Sequence, residues 1–137
     1  MTRPLHPTGQ AACVVVLAIG MLAADACRTA PVRQVPRSPL AGSPTITQQE
    51  VSETIWAAGR REGWRVLEVA PGKLRAEKSL RTHRALVEID YDTTGYSITL
   101  IESDNLLYDG HRIHKTYNLW IEKLQASIEQ EFRFRSP

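Results

Sequence analysis

From residue 46 onward the chain alternates between two hydrophobic periods, and each period marks an element. Val51, Ile55 and Ala58 recur at helical spacing, with Trp56 beside them. Thr47 and Glu50 spell a capping box, in which hydroxyl and carboxylate each satisfy an exposed backbone donor, and Ile46 and Val51 are placed to staple it. Gly63 is the expected stop, so the spacing predicts a helix over 48–62. Residues 64–69 are rich in β-formers, and Ala70-Pro71-Gly72-Lys73 puts proline and glycine where a type II turn needs them. The return over 73–79 is short and polar, which predicts an edge strand. Ala85, Val87, Ile89 and Tyr91 then alternate with Leu86, Glu88, Asp90 and Asp92, the pattern of a half-buried strand. After Thr93-Thr94-Gly95, a fourth strand over 96–102 places Tyr96, Ile98 and Leu100 on one face. Residues 103–115 show no period and read as irregular. Tyr117, Trp120, Ile121, Leu124 and Ile128 form the apolar stripe of a last helix over 116–132. The loops are too short for crossover helices, so the predicted fold is α+β: a two-layer sandwich ordered helix, four-stranded antiparallel sheet, helix.

The N-terminus follows another rule. Residues 11–24 are an uncharged apolar run, preceded by Arg3 and by no acid. A spanning helix needs roughly 20 apolar residues, so the run suits the apolar region of a secretory signal instead. Ala24-Asp25-Ala26 and then Cys27 follow. An ordinary signal peptidase would cut after Ala26. The segment 22–27 also resembles a bacterial lipobox, although Ala24 stands where leucine is usual; that resemblance implies the same cut, with lipid on the Cys27 sulfur. Soluble export would leave an unpaired thiol in an oxidising compartment, whereas a thioether to lipid removes it. Cys13 has no apolar run ahead of it and cannot compete. The expected organisation is a signal peptide over 1–26, a lipidated Cys27 with a Pro/Arg-rich tether over 27–45, and an α+β domain over 46–137. Pro31, Pro36, Pro39 and Pro44 disfavour helix and sheet in the tether. Arg28, Arg33 and Arg37 could meet anionic headgroups there.

Charge and composition exclude more than they identify. A net charge of +2 gives no argument for nucleic acid, and beyond Cys27 there is no cysteine for a disulfide or thiolate metal site. The charge is uneven: over 60–84 eight bases face three acids, and over 85–137 five bases face nine acids. Arg75, Lys78, Arg81 and Arg84 therefore mark a basic region that could contact a partner, an envelope protein or an anionic polysaccharide. His111 and His114 are the weak candidates for a metal, with Asp104 or Asp109 able to add oxygen. Packing of His114 at the start of the last helix is the competing reading. Glu88, Asp90 and Asp92 could divide acid and base roles, but a solvated sheet face explains them as well. No phosphate-binding glycine motif, serine-nucleophile motif or zinc-protease motif occurs, so neither cofactor nor catalytic residue is expected. Tyr117 and Trp120 fit the core better than a groove. Asn105 and Asn118 fit loop-backbone bonding.

Over roughly 46–132, Ser103-Asp104-Asn105-Leu106, Ile113-His114 and Tyr117-Asn118-x-Trp120, with Gly63-Trp64 and Pro71-Gly72, resemble small uncharacterised bacterial lipoproteins. The resemblance implies an exported envelope domain carrying three acyl chains. Arg28 rather than aspartate after the cysteine implies placement at the outer membrane, facing the periplasm. The expected function is that of a non-enzymatic binding or accessory lipoprotein; the alternative is a soluble periplasmic metal-binding protein or enzyme using His111 and His114.

Overall fold

The computed structural model describes residues 27–40 and 45–135. The expected signal sequence and its cleavage motif, residues 1–26, lie outside the described residues. In chain order the elements are β1 (Thr29–Pro31), β2 (Val35–Pro39), α1 (Gln48–Arg61), β3 (Arg65–Ala70), β4 (Lys73–Leu80), β5 (His83–Tyr91), β6 (Gly95–Asp104), β7 (Arg112–His114) and α2 (Lys115–Arg135). Five strands form an antiparallel sheet in the order β2-β6-β5-β4-β3, and β1 pairs separately with β7.

Local chemistry sets the element ends as the sequence suggests. Thr47 Oγ1 accepts from the Glu50 N–H at 3.2 Å, while Glu50 Oε2 accepts from the Thr47 N–H at 2.7 Å. Gly63 takes φ 77°, letting the Trp64 N–H reach back to the Gly59 carbonyl at 2.9 Å and close α1. Gly72 takes φ 79° in the β3–β4 turn. The strand alternation is also as expected: Ala85, Val87, Ile89 and Tyr91 are buried, and the residues between them are half exposed.

Both helices lie on one face of the sheet and pack on each other there, rather than flanking it. One continuous core results, with Val51, Ile55 and Ala58 from α1, Ile121, Leu124 and Ile128 from α2, and Leu74, Val87, Ile89 and Ile98 from the sheet. Trp64 and Trp120 meet edge to face at a centroid distance of 6.4 Å. The opposite face of the sheet is wet and charged. Arg65 bonds Glu77 at 3.0 Å, and Lys73 pairs with Glu88 and Asp90.

Three further expectations need correction. The strand over 73–79 is not an edge, because β4 lies between β3 and β5. Its polarity belongs to the wet face, where Lys73, Arg75 and Glu77 find partners. The sheet has five strands rather than four, and the fifth comes from the proline-rich stretch expected to stay outside secondary structure. Pro36 and Pro39 are tolerated because β2 is an edge strand, where a missing N–H can face solvent. Val35 is buried in the core, and the Arg37 guanidinium bonds Asp92 and Thr94 at the β5–β6 turn. Those bonds, with the Thr94 hydroxyl and N–H, hold the Asp92 carboxyl far below the usual carboxylate range. Finally, 103–115 is not wholly irregular. Residues 103 and 104 extend β6, and Arg112–His114 is the strand that receives β1.

Gly95 is the residue that lets β2 dock. A Cβ there would sit 2.6 Å from the Ser38 carbonyl oxygen. Gly95→Ala is expected to destabilise the protein by about 1–3 kcal/mol and to release β2 first. Urea unfolding and faster amide exchange along Gly95–Asp104 will measure it.

Candidate functional site

The four basic residues nominated from the sequence do not form one surface. On β4, Arg75 and Lys78 are an odd number of positions apart and project from opposite faces. Arg75 is on the wet face beside Glu88, at 3.6 Å. Arg84 is held between Glu77, Glu102 and Asp104, and these carboxylates raise its pKa further. Arg81 sits in the β4–β5 turn with φ 55°. Lys78 turns inward, where Nζ donates to the Glu62 carbonyl at the end of α1 and lies 5.9 and 5.5 Å from the ring centroids of Trp64 and Trp120. Burial lowers its pKa, partly opposed by Glu62. It closes a helix C-terminus and caps an aromatic pair.

The histidines are rearranged as well. His111 lies in the bend that precedes β7, and His114 is the last residue of β7. His114 instead faces His83, with ring centroids 5.2 Å apart and planes inclined by 31°. His83 Nδ1 donates to the Asn105 carbonyl at 2.7 Å, and His114 Nδ1 accepts from the Thr116 N–H at 3.2 Å, at the start of α2. Each ring therefore has a fixed tautomer and a backbone task. Burial lowers the His114 pKa, with His83 and Arg28 adding to the effect. Among the described residues no group of three metal-binding side chains is assembled.

What the structure does assemble is a corner where the N-terminal segment meets the 105–112 loop. Thr29 and Ala30 pair with His114 and Ile113. Arg112 donates to the Thr29 carbonyl at 2.9 Å, Asn118 Nδ2 to the Pro31 carbonyl at 2.8 Å, and the Arg33 N–H to Asn118 Oδ1 at 2.8 Å. Cys27, exposed and unpaired, stands two residues ahead of this stitching. The loop itself is tightly specified. Asn105 and Leu107 hold φ values of 54° and 53°, and Leu107 is a branched residue that seldom adopts them. Asn105 Nδ2 donates to the Thr82 carbonyl at 2.9 Å. Leu106 plugs the core, and its carbonyl accepts from the His114 N–H at 2.7 Å. Asp109 accepts from the His111 and Arg112 N–H groups, which pull its pKa down. Leu107 and Tyr108 stay exposed, at 50% and 43%. Sequence reasoning gave no weight to Leu107 or His83, because neither the backbone angle nor the ring pairing leaves a mark on the hydrophobic pattern.

A second feature lies at the other end of the sheet. A groove of about 430 Å³ runs between the start of α1 and the β3–β4 turn, lined by Gln48, Gln49, Ser52, Glu53, Glu68, Pro71 and Tyr91. Tyr91 donates to Glu68 at 3.2 Å and Gln49 to Glu53 at 3.0 Å. The groove offers hydrogen bonds, with no nucleophile and base in contact. Nearby, Leu67 and Val69 are exposed along β3, and Trp56 carries Arg60 over its ring.

Two outcomes follow from the placement of Lys78 and His114. Lys78→Met should lower stability by about 1–2 kcal/mol in chemical denaturation, from the loss of the helix-end and aromatic contacts. The lowered His114 pKa means that its neutral form favours folding fully above the ordinary value of 6.5, and that this contribution is lost as pH falls below it. An NMR titration should place the His114 midpoint below 6.5, and His83→Gln should raise it only part of the way, since burial is the larger cause. Comparison with known proteins adds no further assignment: no family model matches the chain, and neither a curated protein nor a solved structure is found to be similar to it.

Proposed function

We propose that this chain is a bacterial envelope lipoprotein: an exported α+β domain, anchored through lipid on Cys27, that serves as a non-enzymatic binding or accessory component. The observation that carries the reading is the position of Cys27. It is exposed, has no disulfide partner among the described residues, and stands two positions ahead of the first described strand. The apolar run over 11–24 and the small residues before Cys27 supply the export and cleavage signals. A single acyl chain binds a membrane only marginally, whereas the several chains implied by a lipobox hold firmly. Arg28 after the cysteine supports the outer membrane as the site of the anchor, with the domain facing the periplasm.

The accessory role rests on what the domain presents. Its wet sheet face is largely self-neutralised by ion pairs, which makes it a poor charged platform. Contact with another envelope component fits better at the open edge of β3, where Leu67 is exposed on the wet face and Trp56 and Arg60 on the helix side. Aromatic and arginine anchors beside aliphatic side chains are the usual makings of a protein contact. The alternative, a soluble metal protein or enzyme built on His111 and His114, would need further ligands, and no group of three metal-binding side chains is assembled among the described residues.

Intact mass of the protein extracted from membranes tests the reading. The expected species begins at Cys27 and carries acyl mass, while Cys27→Ala is recovered without lipid. An unmodified chain beginning at Cys27 would favour soluble export. A chain retaining Met1 and no fatty modification would refute export and anchoring together.

A further inference from the structure

The folding of 29–39 into the domain changes where an anchored domain must sit. A free tether of the expected length would let it drift well away from the bilayer. Instead, Thr29, whose register partner is His114, stands only two positions beyond Cys27. Two residues span about 7 Å at most. Resting on the anchoring proposed above, we infer that the corner around Cys27 is a bilayer-docking surface, and that the domain lies flush on an anionic phospholipid membrane.

The chemistry of the corner fits that occupant. Leu107 follows directly on Leu106, whose carbonyl bonds the backbone of His114, so the exposed Leu107 and Tyr108 belong to the same corner as Cys27. The β4–β5 turn joins it through the Asn105–Thr82 bond and the paired rings of His83 and His114, and this turn exposes Leu80 and Arg81. Arg28 and Lys115 are exposed beside the β1–β7 pair. The neighbouring acids are already engaged, Asp104 by Arg84 and Asp109 by the backbone of its own turn. Aliphatic side chains and a tyrosine, ringed by cations and held on a strained backbone, match the boundary between headgroups and acyl chains. The loop geometry keeps Leu107 outward although burial would be the cheaper choice for a leucine.

Fluorescence quenching on vesicles tests the docking and keeps it separate from the anchor. The full chain is expressed with Leu107→Cys, Tyr108→Cys or Val69→Cys, extracted from membranes and labelled with an environment-sensitive fluorophore. It is then reconstituted into phosphatidylglycerol–phosphatidylethanolamine vesicles containing a bromine-labelled phospholipid. Val69 lies near the Lys73 end of the strands, seven positions along β4 from the Leu80–His83 end, roughly 23 Å away. Tyr108 serves as a second reporter position because Leu107 holds a left-handed backbone. The expected result is quenching at position 107 or 108 at least roughly twofold stronger than at position 69, since docked side chains enter the outer 5–10 Å of the bilayer. Equal quenching at all three positions, on protein whose Cys27 is acylated, would overturn the docking and leave the anchor intact. Thiol titration of the unlabelled wild type reads the other failure: a reactive Cys27 would overturn the anchor, and the docking with it.

Discussion

The arrangement depends on one constraint: the sheet is covered on a single face. With both helices on the same side, every central strand has to separate apolar from polar side chains at period two. The buried row of β5 and its half-exposed partner row show this directly. The wet face is then stabilised by pairing charges across strands, as Arg84 does with three carboxylates. Exposed pairs of this kind contribute little individually to stability. Their larger effect is on register, because a slip of one position would drive these charges into the core.

Much of this was legible in the chain. The capping box, the glycine stop of α1, the β3–β4 turn and the stripe of α2 follow from local rules that tertiary structure had no reason to override. What escaped was anything decided by partners distant in sequence. Residues 29–39 look like a spacer because four nearby prolines weigh against secondary structure, yet an edge strand and a short strand pair tolerate them. The polarity of β4 was legible, but polarity alone cannot distinguish an edge from the wet face of an internal strand. The candidate site divided in the same way. Cys27 is found at an exposed position, whereas the charge count over 60–84 could not reveal that Lys78 points inward or that Arg84 is already neutralised.

The backbone ties of Asn105 and Asn118 follow the bland reading of these residues, as do the buried Tyr117 and Trp120. Burial raises the pKa of the Tyr96 and Tyr117 phenols above its ordinary value. The least ordinary backbone lies in the loop that carries Leu107, and strain retained at a surface is more readily explained by function than by folding.

The link between Arg33 and Asn118 spans 85 residues. Closing so long an interval is entropically slow, and it requires almost the whole polypeptide to be present. Because synthesis runs from the amino terminus, β1, the first described strand, meets its partner β7 only after residue 114 has left the ribosome.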